Sequence, residues 1–202
     1  MTAYFDAAAT TWDLKQQRVA QAKAIAEQII ENIPLTPQMN ALEFGAGTGL
    51  LGFNLIDKVG TLTFGDTSKG MLAQVEEKIK NFAHQNAHVL DLNTTAIDSK
   101  YDLIFSSMVM HHIPNYQNKI RELITALTSD GYLCICDLDK EDGTFHSEET
   151  VPHHGFERSE IEQLFLDSGL TLVASQTGFI NKKIINDQEV EFPVFIIIAR
   201  KD

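Results

Sequence analysis

Three glycines, Gly45, Gly47 and Gly49, alternate with small residues in ALEFGAGTGLLG, residues 41–52, directly after an apolar stretch. A backbone without Cβ atoms can approach a ligand closely. Acidic residues flank the loop: Glu43 lies two residues upstream of Gly45, Asp66 lies 21 residues downstream, and Asp91 follows later. Loops of this kind hold nucleotides at the carboxyl ends of strands in α/β sheets. A phosphate-cradling loop needs a Lys-Ser/Thr pair after its final glycine. Gly47 to Gly52 has that spacing, but Phe53-Asn54 follow. The dinucleotide fingerprint G-x-G-x-x-G/A also fails, because Leu50 stands at its third position. Histidine, the side chain that titrates nearest neutral pH, occurs seven times, and five copies fall in two segments: His111-His112, and His146 with His153-His154.

The elements that must position these residues can be read from hydrophobic spacing. A helical stripe over 14–32 ends at Pro34 and Pro37. Residues 40–44 form a strand leading into the glycine loop, and Thr48 to Ile56 is expected to be a helix opening on it. Residues 61–64 form a second strand, and Met71, Leu72, Val75, Ile79 and Phe82 mark an amphipathic helix. Strands follow at 87–90, 101–106 and 131–136, with a helix from Pro114 to about Leu127 after the fourth strand. Residues 137–157 read as a polar loop. Ser159-Glu160-Ile161-Glu162 resembles a capping box, and two last strands, 170–177 and 191–200, join at a polar turn around Asn186-Asp187. Strands alternating with helices imply an α/β doubly wound, Rossmann-like sheet, mostly parallel, with an antiparallel C-terminal hairpin. A single domain over 1–202 is expected, with 1–33 as an N-terminal arm and helix and 34–202 as the core.

LEFGAGTG resembles motif I of class I S-adenosylmethionine-dependent methyltransferases, and LTFGDTSKGML, HVLDL, YDLIFSSMVMHHIPN and DGYLCICDLD resemble that family's later blocks in order. The resemblance spans nearly the whole chain and implies a seven-stranded sheet of order 3-2-1-4-5-7-6. It also implies S-adenosylmethionine as cofactor, a nucleoside with a sulfonium cation and no phosphates. Asp66 would then accept from the ribose hydroxyls and Asp91 from the adenine amino group. Leu92 and Met71 could sandwich the ring, with Thr67 beside it. The Gly45, Ala46, Gly47, Thr48, Gly49 backbone would meet the methionyl part, and carbonyls near Gly45 and Ser106 its amino group. Glu43 would organise the loop or the charged end of the cofactor. In the quinone-biosynthesis C-methyltransferase-like group the stretch holding Tyr4, Phe5 and Trp12 folds over the cofactor as a lid.

Methyl transfer is an in-line displacement that needs alignment, a dry site and, for some nucleophiles, a base. His153 and His154, in VPHHGF, are the candidate catalytic residues, lying in the loop expected to cover the acceptor. His111-His112, a pair common in the family, reads as packing or capping. His84 and His88 read as structural. Asp137, Asp139, Glu141 and Asp142 crowd His146, but no ligand spacing is diagnostic and no metal is expected.

The formal net charge of −12, with 16 scattered Lys and Arg, argues against nucleic acid as substrate. No segment has the pattern of a secretory signal or the length of an apolar span, so a cytoplasmic protein without membrane contact is expected. Cys134 and Cys136, at i and i+2 of a strand, read as small buried hydrophobes. The Asn/Asp-Pro-Pro-Tyr/Phe motif of nucleobase and glutamine N-methyltransferases is replaced by Ser106-Ser107-Met108-Val109. A small-molecule acceptor is therefore expected. A catalytically silent binder of the cofactor and a nicotinamide-dependent oxidoreductase are the alternatives; the oligomeric state is not written in the sequence.

Overall fold

The computed structural model describes residues 2–146 and 150–202. Two α-helices, α1 (Thr2–Ala8) and α2 (Gln16–Asn32), flank a 3-10 segment, Ala9–Leu14. The core then runs β1 (Asn40–Phe44), β2 (Thr61–Asp66), α3 (Lys69–Phe82), β3 (Ala87–Asp91), β4 (Tyr101–Ser107), α4 (Tyr116–Thr125), β5 (Leu127–Leu138), α5 (Arg158–Asp167), β6 (Leu170–Ile185) and β7 (Gln188–Lys201). The strands form one sheet of order β3-β2-β1-β4-β5-β7-β6. β1 to β5 pair in parallel, while β7 pairs antiparallel with both β5 and β6. The expected Rossmann-like, mostly parallel sheet with its antiparallel C-terminal hairpin is present, in the expected strand order.

Side chains alternating at period two divide the central strands between two apolar layers. Leu103 and Phe105 of β4, with Val194, Ile196 and Ile198 of β7, face the layer covered by α2 and α3. Ile104, Phe195, Ile197 and Ala199 face the layer covered by α4 and α5. These strands read as continuous apolar runs because both sheet faces are covered. Cys134 and Cys136 lie on one face, both buried, with Sγ atoms 3.7 Å apart. Among the described residues no helix is long and apolar enough to cross a membrane.

Three local expectations need correction. The segment after the glycine loop is no α-helix: it makes two short 3-10 turns, Gly52–Asn54 and Ile56–Lys58. Glu43 Oε2 takes the Gly52 N–H at 3.1 Å, which diverts the backbone from a regular helical start. The capping box is also absent, because α5 begins two residues earlier, with Glu157 at the N-cap and no side-chain cap. Arg158 is pinned there by two contacts to Asp139, at 2.6 and 2.5 Å. Finally, the last hairpin is much longer than its apolar runs suggest. β6 and β7 pair from Leu170↔Lys201 to Ile185↔Gln188, and Asn186 and Asp187 take the positive φ angles of a two-residue turn.

Candidate functional site

A cavity of about 870 Å³ opens at the carboxyl ends of β1, β2 and β4, where the strand order reverses and ligands of such sheets bind. Its floor is the glycine loop, and the loop's amides are spoken for. Gly45 and Ala46 N–H donate to the Gly65 carbonyl at 2.8 and 3.0 Å. Gly47 N–H donates to Asp66 Oδ2 at 2.7 Å, and Gly49 N–H to the Ala46 carbonyl at 2.8 Å. A pyrophosphate would need such amides free, and a helix N-terminus behind them; these four are taken, and 3-10 turns follow the loop. Gly45 has φ +72, and a Cβ there would lie 2.4 Å from Val109 Cγ2. Gly52 is tied just as closely: a Cβ would lie 2.4 Å from Glu43 Oε2.

Two carboxylates stand in the wall. Glu43 is buried, and burial pushes its pKa well above the usual carboxylate range. Asp66, at the tip of β2, is also pushed up, chiefly by burial, against the pull of the Ser68 and Gly47 amides. Its Oδ1 accepts from Ser68 N–H at 2.8 Å and its Oδ2 from Gly47, which leaves lone pairs for further donors. The site thus combines internally bonded loop amides with a buried and a half-buried carboxyl group, each of which a cation would help to ionise. That chemistry suits a cationic, phosphate-free ligand and disfavours a dinucleotide.

The N-terminal arm forms the roof. Tyr4, Phe5 and Trp12 line the cavity, and Arg18 lies 3.3 Å from the centre of the Trp12 ring. The arm is clipped down by polar contacts. Asp6 Oδ1 accepts from Ser68 Oγ at 2.6 Å and from Gly70 N–H at 2.8 Å. Asp13 pairs with Lys78 at 2.6 Å and accepts from Thr48 Oγ1 at 2.5 Å. The Ser68 hydroxyl also accepts from Met71 N–H as the cap of α3, so one side chain starts the helix and holds the roof.

A second polar group faces the same space. β4 ends in a sharp bend at Met108, φ +60, a conformation that costs of order 1–3 kcal/mol for a side-chain-bearing residue and clusters at functional sites. The bend delivers His111 and His112 to the cavity wall, and His146 reaches it from the loop after β5. His111 Nδ1 is 2.6 Å from Asp137 Oδ1, and His111 Nε2 is 3.0 Å from His146 Nε2. Burial, reinforced by the neighbouring rings, lowers His112 to a pKa of about 3, and burial lowers His146 to about 4. Both are neutral near pH 7.

Of the thirteen residues expected to hold a cofactor, all but Gly49, Asp91 and Ser106 line the cavity. Gly49 packs inside the loop, where a Cβ would meet Phe53. Asp91 pairs with Asp66 in the β2–β3 register, and its Oδ1 accepts from the amide and the side chain of Asn93. Ser106 is 1% exposed, and its Oγ lacks a partner among the described residues. The two histidines expected to do chemistry do not line the cavity. His153 Nε2 sits 3.1 and 3.2 Å from the Ile113 and Pro114 carbonyls, and His154 Nδ1 lies 3.5 Å from Glu141 Oε1. The histidines brought together are instead His111, His112 and His146. Their meeting spans 35 residues of chain, which no local spacing signals; the only sequence hint was their placement after two neighbouring strands.

Residues 42–133 match a family model described as "Methyltransferase domain". The chain is 30% identical over 125 residues, 57% of its length, to a hybrid PKS-NRPS synthetase of Penicillium oxalicum, but that stretch is 3% of the synthetase. It is 30% identical over 131 residues, 63% of its length, to malonyl-[acyl-carrier protein] O-methyltransferase of Magnetococcus marinus, and spans about half of that protein (47%). In structure it is similar to magnesium protoporphyrin IX methyltransferase of Synechocystis PCC 6803 with bound SAM: TM-score 0.67, 14% identity, 94% of this chain and 82% of the other. Strand order and glycine loop agree with the class I, S-adenosylmethionine-dependent methyltransferase fold, and the segment that matches the methyltransferase model is a little under half of the chain.

Proposed function

We propose that this protein transfers a methyl group from S-adenosylmethionine to a small-molecule acceptor. The observation that carries the reading is the pairing of a glycine loop, whose Gly45, Ala46, Gly47 and Gly49 amides bond internally, with a buried Glu43 and a half-buried Asp66 in the same wall. When bound, the cofactor supplies an electrophilic methyl group on a positively charged sulfur.

The chain's own residues hold, orient and dry the site. Asp66, anchored by two backbone N–H groups, offers its remaining lone pairs to the ribose diol. Met71 and Leu92 flank the space for the adenine. The loop from Gly45 to Thr48 gives close backbone approach to the methionyl part, and Glu43 organises the loop from below through the Gly52 amide. Tyr4, Phe5 and Trp12 exclude water from above, so the displacement runs where alignment can contribute roughly 7–11 kcal/mol. Resemblance to the quinone-biosynthesis C-methyltransferase-like group supports the lid role of this arm. The neutral imidazoles of His112 and His146 face the same cavity and stand on the acceptor's side of the proposed reaction. The bonded loop amides do not favour the nicotinamide reading, which wants free amides for a pyrophosphate.

Calorimetry against S-adenosylhomocysteine and against the reduced nicotinamide dinucleotide tests the proposal. Saturable binding of the first alone is expected; binding of the second alone refutes it. Screening small metabolites for S-adenosylhomocysteine release then separates an enzyme from a silent binder.

A further inference from the structure

The loop and carboxylates leave His111, His112 and His146 without a role. Each offers a ring nitrogen, and no two of these atoms are farther apart than 4.8 Å. His111 Nε2 and His146 Nε2 are 3.0 Å apart. Two nitrogens held at zinc in a tetrahedral arrangement stand about 3.3 Å apart, given Zn–N bonds of about 2.0–2.1 Å. Behind His111, Asp137 Oδ1 sits 2.6 Å from Nδ1, which places the proton on Nδ1 and the lone pair on Nε2. A carboxylate behind a ligating imidazole is the recurring support of histidine metal sites. Asp137 is fully buried on β5 and is itself fixed by the His111 and Leu138 amides, at 3.2 and 2.8 Å. His112 Nδ1 is buried with no hydrogen-bond partner among the described residues, a costly arrangement unless something beyond the chain engages the ring.

We propose that His111, His112 and His146 form a three-imidazole site for a divalent transition-metal ion of the zinc class, with Asp137 orienting His111 and the fourth position open to the cavity. Magnesium and calcium prefer oxygen ligands, whereas imidazoles suit zinc, copper, nickel or iron. Small rotations of His112 and His146 close the widest separation. The open position takes water or an anionic oxygen of the acceptor. The spacing 111, 112 and 146 is no recognisable ligand motif, which is why the sequence pointed to no metal. Metal binding stands on the histidines alone; the ion's use as an anchor for the acceptor rests on the methyltransferase reading.

The test uses tag-free, chelator-stripped full-length protein without nucleoside. Zinc chloride alone is titrated by calorimetry, and cobalt(II) chloride alone by visible absorption. One equivalent per chain is expected, with the intense bands of low-coordinate cobalt. His146→Gln and His112→Gln are each expected to weaken zinc at least about tenfold, the least seen even for loss of an outer support, with folding checked by circular dichroism. His84→Gln, in the turn after α3 and outside the cluster, is expected to bind as wild type. Absence of saturable uptake by the folded wild type, or undiminished affinity in His146→Gln, overturns the site and leaves the rings as a hydrogen-bonded relay. Should the variants misfold, the wild-type cobalt spectrum decides: only weak octahedral bands would overturn the proposal. Failure of the methyltransferase reading would look different, with zinc uptake intact and S-adenosylhomocysteine binding absent.

Discussion

Asp66 does two jobs with one carboxylate. It closes the glycine loop through Gly47 and starts the turn into α3 through Ser68, while its remaining lone pairs face the cavity. Asp66→Asn keeps the shape and removes the charge. It should weaken S-adenosylhomocysteine at least tenfold by calorimetry, since bonds to charged groups contribute about 1.5–3 kcal/mol each; an unchanged constant would refute the assignment. The raised pKa values set opposite pH trends. A cationic ligand favours ionised Asp66, so affinity for S-adenosylmethionine should fall as pH drops through that raised value, and Asp66→Asn should flatten the profile. Without ligand the sign reverses. Native Glu43 binds its proton more readily than the unfolded chain does, so its contribution to stability grows as pH falls and is lost as pH rises through the folded value. Thermal melts of wild type and Glu43→Gln across mildly acidic pH would check this. That Gly45, Gly47 and Asp66 meet at one cavity was legible because each sits at the carboxyl end of a neighbouring strand. The histidine cluster was not, because Asp137, His111 and His146 meet only through the sheet.

At the scale of elements, the loop joining β1 to the 3-10 turns has no slack. Gly45→Ala should cost about 1–2 kcal/mol for the left-handed backbone alone, and more for the clash with Val109. Adding Val109→Ala should recover part of the loss in denaturant titration; strictly additive losses would sever the two residues. Ser68→Ala should cost about 1 kcal/mol as a lost cap and also remove one of the two donors that hold Asp6. Strand and helix identities followed from periodicity, but helix starts did not. A box-like Ser159-x-x-Glu162 was outcompeted by the Arg158–Asp139 pair, and a helix expected at Thr48 was diverted by a buried glutamate two strand residues away from Gly45. In both places a tertiary contact overrode the local signal.

For the whole molecule, the order of seven strands came from the resemblance, not from physics read along the chain, since pairing of β7 between β5 and β6 leaves no mark in local pattern. The roof is another global property: α1 has no buried residue, and aspartates hold the arm to the Rossmann-like core. Deleting residues 1–14 should therefore leave the melting temperature nearly unchanged while raising the dissociation constant for S-adenosylhomocysteine, measured by calorimetry; collapse of the fold on deletion would contradict this division. Because the fastenings include a half-exposed ion pair, Asp13 with Lys78, beside the hydrogen bonds of Asp6, the hold of the arm over the cavity should respond to the surrounding electrolyte. Raising salt should quicken nucleoside release in stopped-flow traces far more than it alters the core, making residence time, and with it the pace of turnover, a property of the medium as much as of the protein.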